Sequence, residues 1–373
     1  LLITDGQAAM AQVALDVAVG SRDEPAERPG LAHFVEHMLF LGSARYPQAG
    51  AYKAFLGRNQ GEANATTDYD HTNYHLQVLS NALPEALERL ADQFRAPLFE
   101  ARYVDLERRA VHAEYMYRKD HQYWRLQDVS SQVLGGDRFP ATRFGMGNED
   151  TLKGDASELA SESRAWFQSH YGTDRMALVV RGPQSFDELE GMVVASFGAI
   201  PSRASSGPAT EGIQVFDTSR LPVVARLALG DKERHVRLQF PVNAALIRHR
   251  SAAASFVSFL LAQARSGTFA DDLRAQEFGA SPEVSFEVYS GKDALIEIEI
   301  DAWYQGGEKY WEIARRLFAY TALLRSSPLE EWRFREFLRL RSVDWCYGSA
   351  PFVDDISANL NRFGPAYAQA VGS

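Results

Sequence analysis

Residues 31–41 read Leu-Ala-His-Phe-Val-Glu-His-Met-Leu-Phe-Leu, an apolar segment with two histidines and a glutamate set into it. A segment this apolar is buried in a folded chain, where unpartnered imidazoles are costly. His33 and His37 are four residues apart, so on a helix they leave the same face one turn apart and both rings can reach one metal ion. Glu36, one residue before His37, falls beside that face, where its carboxylate can hold a metal-activated water and take its proton. The competing reading is a pair of core histidines with backbone partners.

A catalytic zinc keeps three protein ligands and one open position, so a third donor is needed. Residues 102–129 read as one long helix, with apolar residues at 106, 110 and 111 among charged ones. Within it Glu107 and Glu114 are seven apart, two turns along nearly the same face. One can coordinate the metal while the other orients a ligand from behind. Taken without the histidines, the pair reads as a solvated charged face.

The bulk numbers narrow the alternatives. With 373 residues, 46% of them hydrophobic, the chain can build two or more cores. A formal net charge of −10 argues against sequence-independent nucleic-acid binding, which needs a basic face. The single cysteine, Cys346, excludes an internal disulfide framework and a thiolate metal cluster, and its neighbours Trp345 and Tyr347 read as the surroundings of an inert side chain. No apolar run approaches the ~20 residues of a membrane-spanning helix. The opening Leu-Leu-Ile-Thr-Asp has neither an initiator methionine nor a signal peptide, and the chain stops on Ala-Val-Gly-Ser. The ends read as those of a fragment of a soluble protein, with periplasm and cytoplasm both open.

Along the chain, residues 11–20 alternate like a half-buried strand, 51–56 read as a helix, and 63–78 as two strands with a turn near 68–70. Helices follow at 83–94, 102–129, 157–169 and 189–197, with a strand at 175–181 and a loop at Phe139-Pro140. Residues 201–212 (PSRASSGPATEG) are the linker candidate. Beyond them the order recurs: helices at 252–264 and 269–277, two strands within 284–300 with a turn at 290–292, then helices at 310–324 and 328–345. The offset is roughly 220 residues. This predicts an α+β chain of two homologous domains, 1–200 and 213–373, each a largely antiparallel sheet with helices packed on one face. Near 251–259 the second copy has only small and apolar residues, so only the first carries chemistry.

His33-Phe34-Val35-Glu36-His37, followed by Met38-Leu39-Phe40-Leu41-Gly42-Ser43 and Tyr46-Pro47, resembles the inverzincin peptidases of the pitrilysin and insulin-degrading-enzyme type, peptidase family M16. The likeness continues through Asn64-Ala65-Thr66-Thr67, His71-Thr72-Asn73-Tyr74, Glu107 to Glu114, and Trp124. It implies one Zn2+ per chain bound by His33, His37 and Glu114, with Glu36 as general base and Glu107 behind the ligands. It implies a zinc-dependent endopeptidase or oligopeptidase for unstructured peptides, docked by strand addition on the edge formed by Asn64, Ala65 and Thr66. Trp124 then lines the cleft. The chain resembles the first two of four homologous domains, so the C-terminal half, in the same polypeptide or a partner subunit, is its expected partner. In such enzymes an arginine and a tyrosine of that half help bind the scissile carbonyl, which leaves the isolated chain incomplete as a catalyst. One departure is Ala264-Arg265-Ser266-Gly267-Thr268, where the insulin-degrading branch carries a His-Glu-Gly-Pro-Gly-Ser-like segment. Two related readings are a dedicated processing peptidase, as in coenzyme PQQ biosynthesis, and a non-catalytic structural subunit. Relatives of the second kind lose the ligands, which are all present here.

Overall fold

A computed structural model describes residues 1–135, 145–202, 214–228, 234–247, 252–290, 292–303, 307–328, 330–347, 352–365 and 367. Strand β2 (Met10–Val17) is buried on both faces: Val13, Leu15 and Val17 point to one side, Ala14 and Asp16 to the other. A strand of this kind sits centrally and is covered twice. It lies in a five-stranded sheet of order β1 (Leu2–Thr4), β5 (Met176–Gly182), β2, β4 (Thr72–Leu79), β3 (Glu62–Thr67). The β1–β5 pair is parallel and the other pairs are antiparallel. The register sets Val13 opposite Leu76 and Leu15 opposite Tyr74, so both strands offer apolar side chains to the same face.

That face is covered by helices α1 (Leu31–Leu39), α2 (Ala51–Arg58), α3 (Leu83–Arg95), α4 (Ala101–Arg118), α6 (Ala156–His170) and α7 (Phe186–Phe197). Fully buried Phe34, Leu39, Leu87, Phe94, Phe167 and Tyr171 fill the space between. Each such side chain contributes roughly 1.5–3 kcal/mol on burial. The expected single helix over 102–129 is broken. Helix α4 stops at Arg118, the chain turns through residues 119–121, and α5 (Gln122–Gly135) restarts. Lys119, Asp120, His121 and Gln122 offer no apolar side chain to keep a continuous helix against the core, and the His121 N–H closes a tight turn on the Arg118 carbonyl.

A second compact unit runs from Gly212 to Ala350. Its sheet has the order β6 (His235–Asn243), β8 (Asp293–Asp301), β7 (Glu283–Val288), all antiparallel. This is the β2-β4-β3 order of the first sheet again. Its helices are α8 (Ala252–Ala262), α9 (Phe269–Ala275), α10 (Tyr310–Ser326) and α11 (Glu331–Tyr347), and Leu261, Phe269, Leu273, Ile298, Ile300, Ile313 and Leu317 form its core. The α+β class and the internal repeat are thus both present. The proposed linker falls almost wholly on residues 203–213, which with Phe139-Pro140 and the side chain of Cys346 lie outside the described residues.

The chain end departs from expectation. Residues 351–373, assigned by sequence to the second domain, belong to the first compact unit, Leu1–Glu211 together with Pro351–Ser373. Helix α12 (Val353–Phe363) covers the second face of the first sheet, so helices lie on both faces rather than one. Val353 and Ile356 pack on Ala14 and Val179. Between them runs a buried polar seam. The Asn73 amide donates to Asp16 Oδ2 (3.0 Å) and Ser357 Oγ (2.8 Å), and the Asn361 amide donates to Asp16 Oδ1 (2.8 Å) and the Arg175 carbonyl (2.8 Å). Burial raises the Asp16 carboxyl above its ordinary value, while the His71 charge and the two amides pull it back.

At the seam's edge the Arg362 guanidinium donates to both Asp70 oxygens, at 2.8 and 2.9 Å. Burial by itself would raise the Asp70 pKa, but the His71 hydrogen bond and the charges of Arg362, His71 and Arg22 outweigh it and hold it well below the carboxylate range. A depressed folded-state value stabilises the fold above the unfolded value, 3.8, and that contribution is lost as pH falls towards the folded one. Asp70→Asn is therefore expected to be less stable than the parent at about pH 7, with the deficit shrinking below about pH 4. Chemical denaturation across pH measures this, and a deficit unchanged down to about pH 2 would show that the charge is not what holds the helix.

Candidate metal centre

Helix α1 is preceded by its N-cap Gly30, whose φ of +92° is open to glycine and strained for other residues. A Cβ there would stand 2.1 Å from the Cα of Gly147, itself at φ +76°. This close approach of two glycines carries the Met146 carbonyl to 2.9 Å from His33 Nδ1. The first turn of α1 is closed by the buried Glu24, whose carboxylate accepts from the Gly30 and Ala32 N–H groups at 2.8 and 2.9 Å. Both the helix dipole and two otherwise orphaned donors favour a carboxylate there. Seven of the nine residues of α1 are buried, which fixes the helix on all sides.

The two histidines are each held from behind. His37 Nδ1 lies 3.0 Å from Glu107 Oε2 on α4. A carbonyl and a carboxylate only accept, so each Nδ1 carries hydrogen and each neutral Nε2 presents a lone pair. Those two Nε2 atoms face each other at 3.3 Å. Two lone pairs at that distance repel unless a proton or a cation lies between them. With metal–nitrogen bonds of about 2.0–2.1 Å and tetrahedral angles, two zinc-bound nitrogens stand about 3.3–3.4 Å apart. The spacing fits.

Two carboxylates reach the gap. Glu114 sets Oε2 3.6 Å from His33 Nε2 and Oε1 3.6 Å from His37 Nε2. Glu36 also brings an oxygen within 4.8 Å of both imidazoles. The two differ in their other partners. Glu36 is buried and its Oε2 accepts a 2.6 Å hydrogen bond from the Thr67 hydroxyl on β3, whereas both Glu114 oxygens face the imidazoles. Geometry therefore favours Glu114 as the third donor and leaves Glu36 beside it.

Electrostatics separates the groups further. Burial, then the charge of His37, holds the His33 pKa down to about 4. Burial also disfavours charge on His37, but the Glu107 hydrogen bond and the Glu36, Glu114 and Glu107 carboxylates prevail and raise it. Burial lifts Glu36 above the ordinary carboxylate range against the pull of Thr67 and His37.

Of the remaining sequence candidates, Asn64, Ala65 and Thr66 lie on β3, which is the edge of its sheet and pairs only with β4 among the described residues. Asn64 and Thr66 are exposed and Ala65 is buried. Trp124 is on α5, beyond the helix break, under the Arg118 guanidinium at 5.2 Å. Thr67, Met146, Glu24 and Arg118 were not found from sequence. Thr67 follows directly on the β3 residues singled out, but only the tertiary fold aims its hydroxyl at Glu36.

Residues 1–141 match the family described as Insulinase (Peptidase family M16), and residues 160–339 match the Peptidase M16 inactive domain. The chain belongs to peptidase family M16. The second match starts within α6, so the family's division and the compact units do not coincide. Protease 3 of Salmonella typhimurium is 28% identical over 352 residues, covering 94% of this chain and 36% of that protein. Insulin-degrading enzyme of Drosophila melanogaster is 28% identical over 347 residues, 92% of this chain and 35% of that protein. A Caenorhabditis elegans protein provisionally named a zinc protease is 29% identical over 367 residues, 97% of this chain and 42% of that protein. The chain thus spans about a third of the length of such relatives. The crystal structure of pitrilysin superposes with a TM-score of 0.86 at 26% identity, over 97% of this chain and 39% of that one. A Helicobacter pylori protease shares the fold, with a TM-score of 0.79 at 16% identity over 99% of this chain and 88% of that one.

The glycine contact gives a direct test. Gly30→Ala is expected to lower stability by more than about 1 kcal/mol, because both the positive φ and the space are refused, and to weaken metal binding by displacing the Met146 carbonyl. Denaturant titration and zinc titration report the two effects separately. A variant as stable as the parent would show that the backbone relaxes there without cost.

Proposed function

We propose that this chain is the metal-bearing part of a zinc-dependent endopeptidase or oligopeptidase acting on unstructured peptides. The observation that carries the reading is the pair of Nε2 atoms 3.3 Å apart, with a Glu114 oxygen 3.6 Å from each. His33, His37 and Glu114 would hold one Zn2+, with Glu107 keeping His37 in the right tautomer and raising its basicity. Zinc bound there supplies Lewis acidity to a peptide carbonyl and to water.

The chain's own residues do the rest. Glu36 takes the proton of the attacking water, and with Oε2 engaged by Thr67 its free oxygen is Oε1. The edge strand β3 offers unpaired backbone donors and acceptors to an extended peptide, which suits varied sequences. Family membership and the relatives' names support the peptidase reading, and the provisional naming of one relative as a zinc protease supports the metal. A completing half, in the same polypeptide or a partner subunit, is supported by the chain's share of its relatives' length. It is supported also by exposed Trp311, Phe318 and Leu323 on α10 and Trp332, Phe334 and Leu338 on α11. Among the described residues no helix is long and apolar enough to cross a membrane.

Fluorogenic peptide hydrolysis by the intact protein, with and without chelator, tests the reading. Glu36→Gln should keep its zinc and lose roughly 10²–10⁴-fold in rate. His33→Ala should lose the zinc. Full occupancy in His33→Ala, or zinc loss in Glu36→Gln, would overturn the assigned roles. Thr67→Val should lower kcat about tenfold with little change in KM, since a hydrogen bond to a charged group is removed, and Thr67→Ser should restore it. Equal kcat in Thr67→Val and the parent would remove Thr67 from the positioning of Glu36.

A further inference from the structure

Arg118 follows Glu114 by one turn of α4, so the two lie on the same helix face. A glutamate four residues before an arginine ordinarily pairs with it. Here both Glu114 oxygens are turned to the imidazoles instead. Among the described residues no carboxylate lies within the 4.0 Å of an ion pair from Arg118. Its guanidinium carbon lies over the Trp124 ring, 5.2 Å from the centroid. A guanidinium held over an aromatic face can still present the N–H donors at its edge to a bidentate acceptor. Its charge is felt at His33 and at Glu36, so it stands within electrostatic reach of the candidate centre. The result is a half-buried cation with no ion-pair partner among the described residues, over an aromatic ring and one helical turn from the carboxylate that faces the histidines.

We infer that Arg118 is a specificity-determining residue that binds a carboxylate of the peptide substrate, giving the proposed peptidase a preference for an acidic group close to the bond it cuts. This rests on the peptidase reading above. The carboxylate is either a Glu or Asp side chain or the free C-terminus of a short peptide, since both present the same planar pair of oxygens to a guanidinium. The net charge of −10 does not oppose this, because recognition at contact distance is set by the nearest groups and more distant surface charge is screened.

The test uses the intact zinc-loaded protein and peptide pairs that differ only by Glu against Gln at each position flanking the scissile bond, or by a free against an amidated C-terminus. The parent should favour the carboxylate member by roughly tenfold in kcat/KM, the range of a charge-assisted hydrogen bond. Arg118→Gln should bring that ratio close to one, Arg118→Lys should keep part of it, and Arg118→Glu should shift preference to a lysine peptide, all with zinc retained. Which pair shows the effect identifies the source of the carboxylate. A role limited to balancing the site's charge predicts equal losses on both members of each pair. An unchanged ratio in Arg118→Gln, a parent ratio near one, or zinc loss in Arg118→Gln would overturn the inference and leave the peptidase reading standing. A parent protein that cuts no peptide in a chelator-sensitive way would remove both.

Discussion

The confrontation of two imidazole lone pairs across 3.3 Å is the constraint on which the rest of the first unit depends. Left alone, two half-buried histidines would turn away from each other or share a proton. They are prevented from turning because each Nδ1 is committed, one to the Met146 carbonyl and one to Glu107. Those commitments reach far along the chain. Met146 is positioned by the contact of Gly30 with Gly147, and Glu107 by the packing of α4 against the core through Val104 and Val111. The site is thus held by groups that never face the gap, which is what preorganisation requires.

The same unit explains why a helix so apolar can carry three polar side chains. Phe34, Val35, Met38 and Leu39 anchor α1 in the core, and Glu24 satisfies its first N–H groups. His33, Glu36 and His37 then emerge together towards α4 and β3, where Glu107, Glu114 and Thr67 meet them. Behind the sheet, α12 closes the opposite face with a seam of amides around Asp16. A buried carboxylate with several donors is costly to disturb, so this helix is tied by specific partners as well as by apolar contact.

The second unit repeats the same order of elements without the histidine pair. Its sheet repeats the β2-β4-β3 order, and α8 occupies the place in the sequence of α1. Where α1 carries His33 and His37, α8 has apolar and small residues, Ala252 to Ala262. Loss of the imidazoles removes the need for a facing carboxylate pair, and α11 accordingly turns aromatic residues, Phe334 and Phe337, to Phe256 on α8.

The sequence alone determined the motif, its helix, the hairpin of β3 and β4, the repeat and the two glutamates, because periodicities of 2 and 3.6 are written locally in residue order. It also held the resemblance to the family. What it could not settle was which groups meet. A continuous helix over 102–129 would put residues 118 and 124 on different faces, and only the break at 119–121 brings Trp124 under Arg118. In the same way the return of residues 353–363 to the first sheet is invisible locally, since an amphipathic helix does not name its partner. The aim of Thr67 at Glu36 and of Met146 at His33 was likewise decided by tertiary structure, because each joins residues 31 and 113 apart in sequence through contacts that no local pattern records.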